Sequence, residues 1–146
     1  MTHRAESIMV AVLDKIDGLT TTTTHAYRGR VRPLQESELP ALFLYMGPDE
    51  IMQHLLQGQL DSQLTVYVDI VVKTASAQVD TTLNTIREEL TEALQADYTQ
   101  GLAYVIDTRE IGADMPKLSG EGDQRTGVMR TTWQIHYRRS RADPGA

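Results

Sequence analysis

Apolar and polar residues alternate in the middle of the chain and then change period. From Leu64 to Lys73 every second residue is apolar, starting with Leu64, which predicts a long strand with one buried face. The apolar residues that follow are spaced by three or four, which predicts a helix from about Gln78 to Asp97. They are Val79, Leu83, Ile86, Leu90 and Leu94. We therefore expect a sheet with a helix packed on it.

A second stripe of apolar residues at helical spacing begins at Ile8 and predicts an N-terminal helix that ends near Gly18. Alternation from His25 to Arg32 predicts a first strand, and Pro33 ends it. The N-terminal part of the chain is therefore predicted as a helix followed by a strand.

The segments on either side of the alternating strand are less regular. Leu39 to Met46 is nearly all apolar, which predicts a strand covered on both faces, closed by a turn at Gly47 to Glu50. Residues 51–60 fit either one helical turn or a mobile flap. After the second helix, Leu102 to Ile111 predicts a fourth strand, and the polar stretch from Gly112 to Thr126 predicts a long loop.

The last strand alternates from Met129 to Arg138, with its apolar side chains on one face. The predicted order is thus α-β-β-β-α-β-β, and short connections favour antiparallel neighbours. We predict an α+β fold with two layers, in which a mostly antiparallel sheet of about five strands carries two helices on one face. It forms a single domain over residues 1–139, followed by a flexible C-terminal tail over residues 140–146.

Composition narrows the class of protein further. A chain of 146 residues can bury a sizeable core as one domain. The absence of cysteine excludes disulfides and thiolate metal sites. No apolar run approaches the roughly 18 residues of a membrane span, so we expect a soluble, unexported protein. The net charge of −6, from 20 acidic and 14 basic side chains, argues against a general nucleic-acid binder.

Few residues are spaced for catalysis or metal binding. His54 lies near Asp49 and Glu50, but a surface loop is the better interpretation, because metal sites need several converging ligands. Glu88 and Glu92 share one helix face, and a solvated surface is again favoured over an acid–base pair. We therefore predict no catalytic residue, no metal site and no cofactor.

Arginine accounts for 11 of the 14 basic residues, and three arginines share one face of the first predicted strand. Such a ladder fits a solvated face, a sheet edge protected against aggregation, or a contact with the acidic helix of a neighbouring subunit. The arginines are Arg28, Arg30 and Arg32, and the acidic residues are Glu88, Glu89 and Glu92.

Several segments taken together resemble a known family. They are the strand Leu39-Pro40-Ala41-Leu42-Phe43-Leu44-Tyr45, the Gly47-Pro48-Asp49-Glu50 turn, the alternating strand from Leu64 to Lys73, the helix through Leu94, and the closing strand Thr131-Thr132-Trp133-Gln134-Ile135-His136-Tyr137. In this order the chain, from about Arg4 to Arg138, resembles the tail terminator family of long-tailed bacteriophages, of the lambdoid minor tail protein type. It departs from the family pattern in its longer C-terminal tail and its terminal arginines.

The resemblance implies a non-enzymatic virion protein that needs no cofactor. Such a protein forms a hexameric ring at the head-proximal end of a finished tail tube, where it ends tube polymerisation and offers a surface for head joining. Its partners would be its own copies, the tail tube protein and a head completion or connector protein. DNA would pass through the ring without specific binding, no membrane would be involved, and assembly would take place in the host cytoplasm.

The resemblance and the charged faces together predict two groups of assembly residues. The subunit interface is predicted at Arg28, Arg30, Arg32, Tyr67, Asp69, Glu88, Glu89 and Glu92. The loops that face tube or head are predicted to carry Asp49, Glu50, His54, Lys117, Glu121 and Asp123. Tyr67 and Val71, on the exposed face of the alternating strand, are expected to contact protein. Alternatives are another head-tail connector or tail completion protein, and a regulatory domain that binds a small molecule with residues 112–126 as a lid.

Overall fold

The amphipathic patterns build one sheet and two helices in the computed structural model, which describes residues 2–29, 39–74, 79–119 and 125–146. The helices are α1 (Arg4–Ile16) and α2 (Val79–Gln95). The strands are β1 (Ala26–Arg28), β2 (Ala41–His54), β3 (Gln59–Thr74), β4 (Val105–Ala113), β5 (Lys117–Ser119) and β6 (Arg125–Ser140).

All six of these strands belong to one sheet in the order β1-β2-β3-β6-β4, and β5 pairs with β6 beyond the end of β4. β1 runs parallel to β2, and the other pairs are antiparallel. β3 and β6 pair along their whole length, from Gln59 opposite Ser140 to Thr74 opposite Arg125. The predicted α+β fold with a mostly antiparallel sheet is confirmed, and β5 is an additional strand that the sequence pattern did not predict.

The main core lies between the helices and one face of the sheet. The alternating apolar residues of β3 from Leu64 to Val72 are at most 1% exposed. α1 packs on β1 and β2, and α2 packs on β3, β4 and β6. Trp133 and Tyr137 of β6 are the largest fully buried side chains. Burial of each large apolar side chain stabilises the fold by about 1.5–3 kcal/mol, and the predicted placement of both helices on one face is confirmed.

β2 sends apolar side chains to both faces of the sheet, as predicted for a strand covered on both sides. Leu42 and Leu44 join the main core. Ala41 and Phe43 form a second cluster with Val71 on the outer face, which is the face opposite the helices. Val71 is only 8% exposed, so its predicted exposure is wrong, because this second cluster covers it.

The predicted turn at residues 47–50 is wrong, because β2 continues to its end at His54. A β-bulge takes up Gly47 and Pro48 without ending the strand. A Cβ atom on Gly47 would lie 2.8 Å from Cε2 of Tyr67, so only glycine fits the bulge without displacing that ring. The pattern predicted a turn because glycine and proline are typical of both features.

Two further segments differ from their predictions. Residues 51–54 extend β2 and are followed by a short 3-10 turn at Leu56–Gly58, rather than forming a helical turn. The predicted loop over residues 112–126 contains β5. Its residues 120–124 lie outside the described part of the chain.

Residues 141–146 follow β6 and are hydrogen-bonded to two other parts of the fold. The backbone N–H of Arg141 donates to the carbonyl oxygen of Gly58 at 2.7 Å, and the N–H of Arg4 donates to that of Pro144 at 2.9 Å. These bonds tie the tail to the 3-10 turn and to the start of α1. The flexibility expected for residues 140–146 stays a prediction.

Candidate functional site

The outer face of the sheet carries a cation held between aromatic rings. Arg130 of β6 lies opposite Asp69 of β3, and its Nε and Nη2 atoms donate to the two carboxylate oxygens at 2.8 and 3.1 Å. The guanidinium carbon lies 4.7 Å from the ring centroid of Tyr67 and 5.7 Å from that of Tyr45. The hydrogen bonds that Arg130 donates to Asp69 raise the pKa of Arg130, and burial raises the pKa of Tyr45. The structure therefore brings the predicted pair Tyr67 and Asp69 together on one face, and their contact with a neighbour stays a prediction.

A second charged cluster on the outer face was not predicted from the sequence. Nε and Nη2 of Arg138 donate to the carboxylate of Asp61 at 2.7 and 3.2 Å, and Nε2 of His136 lies 3.2 Å from the same carboxylate. The hydrogen bond from Arg138 is the main cause that lowers the pKa of Asp61, and His136 adds to it. Arg138 and Asp61 are 77 positions apart in the chain and become neighbours only through the register of β3 and β6.

The predicted arginine ladder is described only at Arg28. This residue ends β1, and its guanidinium makes two hydrogen bonds to the carboxylate of Glu6 on α1, one of them at 2.8 Å between Nη2 and Oε1. The hydrogen bonds from Arg28 lower the pKa of Glu6. Arg30 and Arg32 lie outside the described residues. Because Arg28 already has a carboxylate partner within its own chain, a contact with a neighbour would have to compete with Glu6.

The acidic face of α2 is partly engaged within the chain. Oε1 of Glu89 accepts a hydrogen bond from Oγ1 of Thr21 at 3.0 Å. Glu88 and Glu92 are exposed. Their predicted contact with the arginines of a neighbouring subunit stays a prediction.

Asp49 lies on β2 and points into the fold rather than from a loop toward a partner, because β2 continues through this position. Its carboxylate accepts hydrogen bonds from Oγ of Ser62 and from the hydroxyl of Tyr137, both at 2.6 Å. Burial, with the hydrogen bond to Asp49 as the second cause, raises the pKa of Tyr137 to about 12. Asp49 thus links the C-terminal half of β2 to the buried Tyr137 near the C-terminal end of β6.

The other residues predicted on partner-facing loops are dispersed. Glu50 and His54 are exposed positions of β2, and Lys117 is an exposed position of β5. Glu121 and Asp123 lie outside the described residues. Within the described ranges no group of three or more His, Cys, Asp or Glu side chains is arranged to hold a metal ion, and no helix is long and apolar enough to cross a membrane.

Large apolar side chains are exposed at opposite ends of the sheet. At the end where β3 begins, which we call the hairpin end, they belong to Ile51, Met52 and Leu56, and Leu56 is 89% exposed. At the end where β3 finishes, which we call the β5 end, they belong to Met115 and Leu118, and Met115 is 83% exposed. The register shows that the two ends are separated by about nine residues of β3, or roughly 30 Å.

Comparisons with known proteins do not identify a partner for these surfaces. No protein-family model matches the chain, and no curated protein matches it. Among solved structures, a chain of the structure titled "Virion of native gene transfer agent (GTA) particle" aligns with a TM-score of 0.47 and 10% identity, over 93% of this chain and 88% of that chain. A match this loose assigns no function to the chain.

Proposed function

We propose that this chain is a structural protein of a phage-like particle and, more specifically, a tail terminator. In this proposal a hexameric ring sits on the head-proximal end of a tail tube, ends tube polymerisation and presents the surface that joins the head. No catalytic step and no cofactor belong to it. The resemblance of the segments from about Arg4 to Arg138 supports the proposal, and the virion chain described above is compatible with it but adds no support.

The observation that carries the proposal is the pair of apolar ends. Exposed apolar side chains are normal singly, whereas clusters of them mark surfaces that contact protein. Leu56 and Met115 are almost completely exposed at ends of the sheet roughly 30 Å apart. Two different contact surfaces on one chain favour a heterologous, head-to-tail contact, which closes into a ring when the rotation permits. A terminator needs such a contact.

The charges fit a ring that surrounds DNA without holding it. The chain has a net charge of −6, and a strongly basic channel would retain the phosphates that must slide through. Glu88 and Glu92 are exposed carboxylates on α2, and Arg130 and Arg138 on the outer sheet face are already paired with carboxylates. We therefore propose passage of DNA without specific binding.

The test is to measure the mass of the purified protein and to image it with tail tubes. Native mass spectrometry should find a hexamer, either free or once tubes are added, and negative-stain microscopy should find caps on one end of the tubes. Tubes grown in its presence should stop lengthening once capped. A protein that stays monomeric and leaves tube growth unchanged would refute the proposal. The position of the ring on complete particles separates a terminator from a head-tail connector.

A further inference from the structure

We infer that the Leu56 turn of one copy docks into a groove between α2 and the β4–β5 connection of the next copy. The inference rests on the proposed function, because it names the contact by which copies of the chain join head to tail. Both contacting surfaces, the Leu56 turn and the groove, belong to copies of this chain.

The Leu56 turn presents one apolar side chain on a fixed backbone. Gln57 and Gly58 have positive φ angles of 61° and 73°, which turn the chain sharply after Leu56. The turn is closed by a hydrogen bond from the N–H of Leu55 to the carbonyl oxygen of Gln59 at 2.8 Å. A side chain displayed on such a turn loses little further backbone freedom on binding.

One exposed cation lies beside this turn. The tail brings Arg141 beside it, since the N–H of Arg141 donates to the carbonyl oxygen of Gly58 at 2.7 Å, and the Arg141 side chain is exposed. From Met52 to Leu60 the chain has no acidic residue. The docking element is thus an apolar knob with a cation next to it.

The proposed receptor is a groove of about 350 Å³ at the β5 end. Its apolar lining includes Leu83 of α2 and Met115 of the β4–β5 connection. Asp80 and Asp114 line the same groove and are exposed. Arg87, which also lines it, is neutralised by Glu110 of β4 through a hydrogen bond of 3.0 Å from Nε to Oε1. The groove is therefore apolar with an acidic rim, the complement of the Leu56 turn.

The charge around Met115 also sets the direction of docking. On its other side lies a smaller hollow of about 220 Å³, lined by Lys117 and Arg130 and by the acidic Asp69 and Asp114. Arg130 is already paired with Asp69, and Lys117 is exposed. Asp114 lines both hollows, whereas Asp80 lines only the groove on the α2 side and Lys117 lines only the other hollow. The knob with its Arg141 therefore enters from the α2 side of Met115.

Cysteine cross-linking tests the contact directly, because the chain contains no cysteine of its own. A mixture of Leu56→Cys and Met115→Cys chains should form a covalent dimer under mild oxidation, whereas neither variant alone should do so. The control mixture, Val10→Cys with Met115→Cys, uses an aliphatic residue of α1 that is 48% exposed and should not cross-link. A Leu56→Cys, Met115→Cys double variant should give a ladder of species up to the size of the closed ring. A ladder that ends at two copies would overturn head-to-tail closure.

Substitutions test the affinity of one copy of the chain for the next. Leu56→Asp should weaken self-association by about tenfold or more, as expected for loss of a central apolar anchor, while Val10→Asp should leave it unchanged. Arg141→Glu should weaken association as well, and Asp80→Arg with Asp114→Arg in the same chain should restore part of the loss. Circular dichroism and urea midpoints establish that each variant is folded.

The outcomes separate this inference from the proposed function. If the wild-type chain forms rings and caps tubes, but Leu56→Asp does so equally well and no cross-link forms, this docking is wrong and the proposed function stands. If Leu56→Asp forms rings but no longer binds tubes, the occupant of the groove is not a second copy, and the inference is overturned. If the wild type neither self-associates nor binds tubes, both are refuted.

Discussion

The Asp49 carboxylate joins β2 to the buried Tyr137 of β6, and its removal should cost more than the loss of an ordinary surface charge. It accepts hydrogen bonds at 2.6 Å from Ser62 and from Tyr137, and the Tyr137 residue is 0% exposed. Asp49→Ala removes the carboxylate that accepts from this buried hydroxyl and leaves Ser62 as the neighbouring side chain. Loss of a hydrogen bond to a charged group costs about 1.5–3 kcal/mol, so we expect the free energy of unfolding to fall by about 2–3 kcal/mol.

The matched partner variant is Tyr137→Phe, which should cost less. Asp49 keeps its bond to Ser62 and is only half-buried, so water can take the place of the lost hydroxyl, and we expect a loss of about 1 kcal/mol. In the double variant the unsatisfied hydroxyl is gone, so the two losses should overlap by about 1–2 kcal/mol. Urea unfolding followed by fluorescence of Trp133, the single and buried tryptophan, measures each value. Losses that add to within about 0.5 kcal/mol would refute the coupling.

The same pair predicts a pH dependence with a definite sign. The pKa of Tyr137 is raised to about 12 in the fold, against about 10 for an exposed tyrosine. The protonated hydroxyl therefore contributes stability that is fully present below about pH 10 and is lost as the pH rises through about 12. Tyr137→Phe should lose less stability than the wild type between pH 9 and 11, as measured by urea midpoints. Parallel losses in both proteins would contradict the raised pKa.

Three further outcomes are expected. Gly47→Ala should lower the unfolding free energy by about 1–3 kcal/mol, because the added Cβ meets the Tyr67 ring at 2.8 Å; an unchanged urea midpoint would contradict this. Asp61→Asn should cost about 1–2 kcal/mol at neutral pH. Because Arg138 lowers the pKa of Asp61, wild-type stability from this pair is lost as the pH falls below about 4, and Asp61→Asn should lack that loss in acid titrations. Arg130→Ala should cost under about 1 kcal/mol in thermal unfolding, since its side chain is 43% exposed.

The parts of the fold that could be predicted are those in which burial follows sequence spacing directly. β3 alternates because one face is covered, and α2 repeats every three or four residues because one stripe faces the sheet, so both elements and their shared core follow from pattern. The nearly continuous apolar run at the start of β2 likewise predicted cover on both faces. These are local signals, and the α+β architecture is their sum.

The parts that could not be predicted depend on register or on a neighbouring strand. Gly47 was expected in a turn, but β2 continues because its partner β3 offers a place for a bulge. Asp61 and Arg138 meet only because β3 and β6 align along their whole length. Arg28 pairs with Glu6 of α1 within the chain, and the sequence pattern did not predict this partner. Side-chain partners that are far apart in sequence leave no periodic signal.

Most residues that stabilise the fold are different from those proposed for assembly. Asp49 is proposed to contribute to both. Leu56 is 89% exposed, so Leu56→Asp should keep the unfolding free energy within about 0.5 kcal/mol of the wild type while weakening self-association. Asp49 differs from Leu56, because its hydrogen bonds to Ser62 and Tyr137 hold the half of β2 that leads to the Leu56 turn. Asp49→Ala should therefore lower both the unfolding free energy and the association constant at concentrations where the chain remains folded. If Asp49→Ala weakened only folding, the turn would be positioned by its own closing bonds and by the tail, and the geometry of β2 would not control docking.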